Sequence, residues 1–295
     1  MQGLVVLSVD SIIGGEVEVT DYALRLGDVE VARLQAMASW AHHAESELWR
    51  LAGITAGARV ADIGCGPGAT LRTIADLVGP TGAVSGVDTD AQAIDHATAM
   101  ISQAGLVHAS VQRARAEATG LAACSYDVVM LRHVLAHNGG REQAIVEHLT
   151  TLIRPGGCLY LADTEFSAIR VRPAVAEYIE MNERYLAFHT ARGNDLHVGL
   201  RLAELLSAAG LEVVLYRGLF SIEVWRPGWR GSAWAAREAM LAAGFATCDD
   251  LTRWHQALTR LDAAPQRPTT FVPIFLAIGR KAIPHGEPSS RDNLG

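Results

Sequence analysis

The sequence predicts an α/β fold built on a mostly parallel, doubly wound sheet. Short apolar segments typical of buried strands alternate with segments of helical periodicity from about residue 59 to residue 165. This alternation is typical of parallel sheets with right-handed crossovers. A glycine-rich turn at residues 64–68 directly follows the first of these strands. The chain has 295 residues, of which 49% are hydrophobic, so it can bury the core of one large domain or of one domain plus an elaboration.

Seven strands are predicted for this sheet. They occupy residues 60–63, 83–87, 107–114, 126–131, 158–162, 211–214 and 271–278. The helices predicted between the first five strands cover about 70–77, 90–104 and 142–152. Since strands and helices alternate, the helices are expected to cover both faces of the sheet.

The strand pattern divides the chain into five parts. The segment 166–208 is mostly helical, rich in large side chains and interrupts the strands, so we interpret it as an inserted cap. The predicted parts are an N-terminal arm and helices at 1–53, the core at 54–165, the cap at 166–208, the C-terminal part of the core with a further helical cap at 209–283, and a disordered tail at 284–295.

Composition and charge argue against several classes of partner. The formal net charge is −7 and the basic residues form no runs, so neither a nucleic acid nor an anionic membrane is an expected partner. No apolar stretch reaches the ~20 residues of a membrane helix. The N-terminus lacks the basic segment of a secretory signal, and the four cysteines are widely spaced, so we expect a cytoplasmic protein. The sequence leaves a homodimer open.

The glycine-rich turn predicts an adenosine-binding site. Glycines between a strand and a helix let the backbone approach a ligand closely, and the helix directs its N–H groups to the same place. Asp88, 20 residues beyond Gly68, ends the next strand, where a carboxylate can accept both hydroxyls of a ribose. Asp62, just before the glycines, would repel a pyrophosphate and suits a ligand with a positive group. This favours S-adenosylmethionine over a dinucleotide.

Four segments together resemble class I S-adenosylmethionine-dependent methyltransferases. They are Val-Ala-Asp-Ile-Gly-Cys-Gly-Pro-Gly at 60–68, Ser-Gly-Val-Asp at 85–88, Tyr-Asp-Val-Val at 126–129 and Leu-Ile-Arg-Pro-Gly-Gly at 152–157. The resemblance is greatest to the ubiquinone/menaquinone-methyltransferase-like branch, which includes many actinobacterial small-molecule enzymes. It implies a Rossmann-like fold of seven strands, S-adenosylmethionine as cofactor and a small-molecule substrate, such as a natural-product intermediate.

The resemblance also implies a set of cofactor-binding residues. This set is Tyr22, Asp62, Gly64, Cys65, Gly66, Asp88, Thr89, Arg115, Ala116 and Arg132. Two positions depart from the family pattern. Arg115 stands where the family usually has an acid that contacts the adenine amino group, so the Ala116 backbone or Glu117 is expected to hold adenine instead. Met37 stands where the family often has glutamine.

Two histidines are the candidate catalytic residues. His133 and His137 follow the fourth strand, and ligands of parallel sheets bind at the carboxyl ends of strands. His133 is the stronger candidate for a general base that takes a proton from the acceptor. The alternative is that His133 packs in a loop and His137 caps helix contacts. His189 is expected to be a surface or core residue.

The acids after the fifth strand leave two interpretations open. Asp163, Thr164 and Glu165 follow this strand, and a carboxylate there could bind a substrate cation or assist proton transfer, or it could be an acid stabilised at a helix N-terminus, which we favour. No Asp-Asn pair lies where a divalent metal site would need it, so no metal is expected. No Asn/Asp-Pro-Pro-Tyr run follows the fourth strand, which argues against methylation of amide or nucleobase nitrogens.

Aromatic residues of the cap segments are the candidates for an acceptor pocket. They are Tyr178, Tyr185, Phe188, Trp225 and Trp229, and the alternative is that they form the core between cap and sheet. The predicted function is methylation of a small molecule by S-adenosylmethionine. Two alternatives remain, a cyclase or lyase that retains the cofactor without transferring its methyl group, and a non-enzymatic sensor.

Overall fold

The computed structural model describes residues 28–284. The eight strands of its single sheet are β1 (Arg59–Ile63), β2 (Ala83–Asp88), β3 (Ala109–Arg113), β4 (Tyr126–Arg132), β5 (Ile153–Thr164), β6 (Arg170–Arg172), β7 (Glu212–Val224) and β8 (Thr269–Arg280). The nine helices described are α1 (Asp28–Ala52), α2 (Ala69–Val78), α3 (Ala91–Gln103), α4 (Glu142–Leu152), α5 (Ala176–Ala191), α6 (Leu202–Ala208), α7 (Ser232–Ala235), α8 (Arg237–Ala242) and α9 (Cys248–Ala263).

The sheet has the doubly wound order that the sequence predicts. The strands run β3-β2-β1-β4-β5-β8, the first five in parallel, and β8 is antiparallel to β5. β7 pairs with β8 along its whole length on the opposite edge. The Rossmann-like α/β prediction is confirmed. The sheet has eight strands rather than the predicted seven. The additional strand is β6, which pairs with Thr269–Phe271 of β8 on the same side of β8 as β5.

Helices cover both faces of this sheet. α1, α2 and α3 lie against one face, and α4 and α6 lie against the other. α2 shows why the sequence forms these layers. Its buried residues are Leu71, Ile74, Ala75 and Val78, which recur at intervals of three, one and three residues and form one apolar stripe.

The cap differs in extent from its prediction. Within the predicted segment 166–208, α5 packs against α7, α8 and α9, whereas α6 packs against β7 and β8 and so belongs to the layer that covers the sheet. β7 is also longer than the predicted strand 211–214. Its extension pairs with β8 as far as Val224, and its last five residues, 220–224, alternate between apolar and polar side chains.

The ends of the chain lie outside the described residues. The predicted arm at 1–27, with the candidate cofactor residue Tyr22, and the predicted tail beyond residue 284 belong to them. The predicted N-terminal helix is described from Asp28 and is confirmed as α1. No helix within residues 28–284 is both long and apolar enough to cross a membrane.

Candidate active site

The glycine turn lies at the carboxyl edge of the sheet, between β1 and α2. Gly64 has a φ of +74°, and its N–H donates to the Val87 carbonyl at the end of β2, at 2.7 Å. A Cβ at Gly64 would lie 2.2 Å from Val134 Cγ2, so only glycine fits there. Gly66 has a φ of +52°, but a Cβ there would meet no atom within 4 Å. The turn is therefore tightly packed at Gly64 and open at Gly66.

Asp62 places a carboxylate beneath this turn. The residue is 3% exposed, and its Oδ2 has no hydrogen-bond partner within residues 28–284. Burial raises the pKa of Asp62 to about 7, against the opposing charge of Arg132. A buried carboxylate oxygen without a hydrogen-bond partner is costly in the protein alone. It would be stabilised by a ligand that brings a positive group to the turn.

Asp88, the last residue of β2, binds the glycine turn through its carboxylate. Its Oδ2 accepts the Gly66 N–H at 2.8 Å, and its Oδ1 accepts the Asp90 N–H at 2.9 Å. Burial raises the pKa of Asp88, although these backbone hydrogen bonds oppose the shift. Each carboxylate oxygen can accept more than one hydrogen bond, so the fixed group retains acceptor capacity for ligand hydroxyls.

Arg132 supplies the charge next to Asp62 and is itself anchored to α1. Its guanidinium donates to both oxygens of Glu45, at 2.7 and 3.2 Å. The fully buried Glu45 carboxylate also accepts from Trp49 Nε1 at 3.1 Å and from the Tyr160 hydroxyl at 2.8 Å. Glu45 is a residue that the sequence analysis missed. The network ties α1 to the strands that carry the site, and it commits Arg132 to the protein rather than to a ligand.

The loop after β3 forms the third side of this region. Arg115 forms an ion pair with Glu117 at 2.7 Å, and Glu117 also accepts from Arg141 at 3.3 Å. The Ala114 N–H donates to the Asp88 carbonyl at 2.9 Å, so the loop is fastened to the end of β2. Glu117 is held by two arginines, which leaves the backbone near Ala116 as the simpler adenine contact.

All the predicted site residues that are described lie around one cavity of about 1510 Å³. They are Asp62, Gly64, Cys65, Gly66, Asp88, Thr89, Arg115, Ala116, Arg132, His133 and His137. A pocket for one ligand is typically ~300–1,000 Å³, so this cavity has room for two. We call the part formed by Asp62, the turn at 64–68 and Asp88 the cofactor half.

His133 lies beside the cofactor half, directly after β4. It is a non-glycine residue with a φ of +56°, a conformation that side chains rarely adopt and that often marks functional sites. Its N–H donates to the Ala162 carbonyl at 2.8 Å, and its Nε2 has no partner within residues 28–284. Burial and the charge of Arg132 lower the pKa of His133 well below its usual range. The imidazole is therefore neutral near pH 7, and its lowered pKa makes it a weak base there.

Comparisons with known proteins agree with this geometry. Residues 60–157 match the family model described as a methyltransferase domain. The chain is 42% identical over 74 residues to aklanonic acid methyltransferase DauC of Streptomyces sp. (strain C5), which covers 25% of this chain and 34% of that protein. It is 28% identical over 152 residues to an uncharacterised 37.1 kDa protein in transposon TN4556 of Streptomyces fradiae, which covers 52% of this chain and 43% of that protein. The chain thus matches less than half the length of either relative.

Solved structures of low sequence identity share the fold. The YcgJ protein of Bacillus subtilis has a TM-score of 0.53 and 17% identity, over 82% of this chain and all of that one. A SAM-dependent methyltransferase of Aquifex aeolicus has a TM-score of 0.50 and 16% identity, over 65% of this chain and 92% of that one. Residues 60–157 thus match a methyltransferase domain, and the whole described chain has the fold of the class I type. S-adenosylmethionine is the cofactor of this domain, as the sequence predicts.

The residues of the methyltransferase domain fit this cofactor. The unpartnered Asp62 Oδ2 suits the ammonium of its amino acid part, and the fixed Asp88 carboxylate suits its ribose. The open space above Gly66 allows close approach of the ligand. Cys65 lines the same turn, and burial raises the pKa of its thiol well above its usual range, so this side chain is a neutral filler. Within the described residues, no cluster of His, Cys, Asp or Glu could hold a metal ion.

The cap of the methyltransferase domain closes the other part of the cavity. Four of the five predicted aromatic residues line it, namely Tyr178, Tyr185, Trp225 and Trp229. Phe188 does not line the cavity and packs in the core against Phe245 with ring centroids 5.7 Å apart. Tyr178, Tyr185 and Trp225 are only 5%, 2% and 1% exposed, so they also belong to the core between cap and sheet, which was the alternative prediction. Phe166, which the prediction omitted, also lines the cavity. We call the part formed by Phe166 and the four lining aromatics the acceptor half.

His137 lies between the two halves, and a third histidine supports it from the cap. The His189 ring is 4.9 Å from the His137 ring and 4.4 Å from the Tyr185 ring, measured between centroids. Burial lowers the pKa of His137 to about 4 and that of His189 to about 3, so both are neutral near pH 7. His189 is a core residue, as predicted. Its position four residues after Tyr185 in a helix was the only signal of this contact.

Asp163 holds the loop that carries both candidate catalytic histidines. Its Oδ2 accepts the Ala136 N–H at 3.1 Å, and its Oδ1 accepts the Thr164 N–H at 2.9 Å. The carboxylate therefore binds the N-terminus of the 3₁₀ helix Leu135–His137, and Glu165 caps the N-terminus of the short helix Phe166–Ala168, which agrees with the favoured interpretation of these acids. Burial raises the pKa of Asp163 to about 7, against these hydrogen bonds.

Proposed function

We propose that this protein transfers a methyl group from S-adenosylmethionine to a small natural-product intermediate, as an enzyme of the ubiquinone/menaquinone-methyltransferase-like branch. The observation that carries the proposal is a single cavity with two distinct halves. One half has the Asp62 carboxylate, whose Oδ2 has no partner within residues 28–284, and the fixed Asp88 carboxylate, and the other has aromatic walls. Local identity to an aklanonic acid methyltransferase supports a natural-product substrate.

The protein's own residues have three tasks in this reaction. Asp62, the open turn at Gly66 and Asp88 hold the cofactor, whose sulfonium supplies an electrophilic methyl group. His133 takes the proton of the acceptor on its unpartnered Nε2; because the pKa of His133 is lowered, this transfer is uphill and is completed when the proton passes on to water. The cap aromatics orient the acceptor and exclude water, which strengthens local electrostatic interactions.

Mass spectrometry of products tests this proposal. The protein is incubated with methyl-labelled S-adenosylmethionine and a panel of natural-product intermediates, and each consumed compound is expected to gain one labelled methyl group. S-adenosylhomocysteine is expected to form in equal amount. A compound consumed without the added mass and without S-adenosylhomocysteine would favour the cyclase or lyase alternative instead.

A further inference from the structure

β7 is an edge strand of the sheet, and one of its two sides is unpaired. It pairs with β8 along its whole length, and within residues 28–284 no strand pairs with its other side. Trp225, just beyond β7, donates its N–H to the Pro268 carbonyl at 2.8 Å, and hydrogen-bonded and non-hydrogen-bonded pairs alternate along antiparallel strands. The even-numbered residues of the segment 216–224 therefore direct their N–H and C=O groups away from β8. Such a strand can bind a further strand.

The side chains of these even-numbered residues form an exposed apolar stripe. Within residues 28–284, four of the ten exposed large hydrophobic side chains lie on β7; we call them the β7 stripe, and they are Tyr216, Phe220, Ile222 and Val224. Phe220 and Ile222 are 61% and 64% exposed. Two aromatic residues of β8 widen the stripe, since the Phe220 ring centroid lies 5.5 Å from that of Phe271 and the Tyr216 centroid 6.1 Å from that of Phe275. Contiguous exposed apolar surface is typical of interaction sites.

The two charged residues of the segment 216–224 are placed symmetrically about Phe220. Arg217 lies three residues before Phe220 and Glu223 three residues after it, both at odd-numbered positions on the face opposite the stripe. When two copies of the strand pair antiparallel about a two-fold axis at Phe220, each Arg217 faces the partner's Glu223. The Glu223 carboxylate pairs with Arg226 at 2.8 Å and its side chain is 36% exposed, so it can accept from a second cation.

The same register fits the side chains of the stripe. Phe220 faces its own copy, and Gly218 faces the partner's Ile222, where the lack of a side chain leaves room for the larger residue. These pairs join even-numbered residues, whose backbone groups point to the free side of the strand, so the hydrogen bonds of the ladder match as well. With the axis at Gly218 instead, Arg217 would face the partner's Leu219 and the opposite charges would not meet.

We propose that two copies of this chain form a homodimer by antiparallel pairing of their β7 strands about a two-fold axis at Phe220. The pairing continues the sheet from one protomer into the other and places the two stripes side by side. Because the contact is isologous, it closes at two copies and does not extend into a fibre. It also explains why a long apolar edge has no lysine or proline between residues 216 and 224, since these residues commonly protect free edges.

Sedimentation velocity of the full chain over a micromolar concentration series tests the pairing. We expect the parent protein to sediment with twice the mass of one chain. Ile222→Lys places a charge in the stripe and should weaken the dimer by about 100-fold or more. Ile179→Lys makes the same change at an exposed isoleucine of α5, so it is the matched control and should remain dimeric. A parent protein that stays monomeric, or a dimer that Ile222→Lys leaves intact, would overturn the proposal.

An exchange of charges tests the register. Arg217→Glu places like charges opposite each other at two symmetric positions and should weaken the dimer by about ten-fold or more. The double variant with Arg217→Glu and Glu223→Arg restores opposite charges and should recover most of the lost affinity. Both variants change exposed or half-exposed side chains, and their melting curves verify that they fold. If the double variant dissociates as readily as Arg217→Glu alone, the axis is not at Phe220.

Hydrogen exchange distinguishes a second copy from a segment of the same chain as the occupant of the free edge. The parent protein is measured above and below the dissociation constant of its dimer, on peptides that span residues 216–224. We expect part of these amides to exchange about ten-fold or more slowly in the dimer, because the even-numbered N–H groups are then hydrogen-bonded. Equal protection at both concentrations would show that the partner copy does not cover this edge and would refute the homodimer.

Discussion

The two halves of the cavity are built by different means. In the cofactor half, backbone geometry does the positioning, since Gly64 and Gly66 shape the turn and Asp88 is held by N–H groups no more than 22 residues away. In the acceptor half, side chains from distant parts of the chain do it, as in the contact of Trp225 with Tyr178. The comparison teaches that one half can be fixed by local sequence, whereas the other depends on tertiary packing.

The largest expected effects are those of alanine substitutions at Gly64 and Gly66 in the cofactor half, and the two should differ in kind. Gly64→Ala places a Cβ 2.2 Å from Val134 Cγ2 at a positive φ, so we expect a loss of roughly 3 kcal/mol or more in the free energy of unfolding. Gly66→Ala has no such overlap and should cost only about 1–2 kcal/mol, but its methyl group occupies ligand space and should abolish S-adenosylhomocysteine binding. Thermal unfolding and calorimetry measure the two effects.

A double variant makes the glycine prediction specific. Gly64→Ala combined with Val134→Ala removes the overlapping methyl group and should recover part of the lost stability, as expected for residues in contact. If the double variant loses as much free energy of unfolding as the two single variants lose together, the overlap with Val134 does not cause the destabilisation by Gly64→Ala.

The next-largest effect concerns Asp88, the carboxylate assigned to the ribose of the cofactor. Asp88→Ala removes two charge-assisted hydrogen bonds to the cofactor, each worth roughly 1.5–3 kcal/mol, so S-adenosylhomocysteine affinity should fall by about 100-fold or more. Asp95→Ala changes an exposed carboxylate on α3 outside the cavity and should leave the affinity unchanged. Calorimetric titration measures both, and equal affinities in the two variants would refute the assignment of Asp88.

How far the sequence could predict the site follows from the same comparison. Asp62, the glycine turn and Asp88 were predicted because each lies at a strand end, and adjacent parallel strands bring these ends together. Glu45 was missed because it meets Arg132 across 87 residues and Tyr160 across 115. No local pattern marks such a pair before the helix is docked on the sheet.

The fold shows the same limit. Four of the five strands of the repeated strand–helix region were predicted within two residues at each end, and β1 and β4 are recognisable because nearly all their residues are buried. β5 begins five residues earlier than predicted, because Ile153 pairs with Tyr126 of β4. The three-residue strand β6 was missed because its pairing with β8, a tertiary event, defines it. The extension of β7 was missed although the segment 220–224 alternates between apolar and polar residues, a local signal of a strand. The assignment of α6 to the sheet rather than to the cap likewise depends on the strands that it covers.

His133 lies where the two halves meet, so its variant should affect turnover but not cofactor affinity. His133→Asn retains a residue that tolerates the left-handed backbone and removes the proton acceptor. We expect kcat to fall by about 100-fold or more at unchanged S-adenosylhomocysteine affinity. His96→Ala, an exposed histidine outside the main cavity, is the control and should have parental kcat. Parental turnover in His133→Asn would show that positioning alone is sufficient.

The smallest expected effect compares the two buried carboxylates with a pKa of about 7, Asp62 and Asp163. For Asp62 the folded-state pKa is above its unfolded value of 3.8, so its contribution to stability is fully present below about pH 4 and is lost as the pH rises through 7. Asp62→Asn should therefore stabilise the cofactor-free protein at pH 8, by on the order of 1 kcal/mol, and not at pH 4.

The same substitution at Asp163 should act in the opposite direction. Asp62 Oδ2 has no partner to lose, whereas Asp163 accepts backbone N–H groups on both oxygens, and an amide nitrogen cannot accept either one. Asp163→Asn should therefore lower the melting temperature at pH 8 while Asp62→Asn raises it and weakens S-adenosylhomocysteine binding. Melting curves at pH 4 and pH 8, with calorimetry at pH 8, measure these changes. If Asp62→Asn destabilises the cofactor-free protein at pH 8, then the Asp62 carboxylate stabilises the fold itself. The assignment of Asp62 to the positive group of the cofactor would then lose its support.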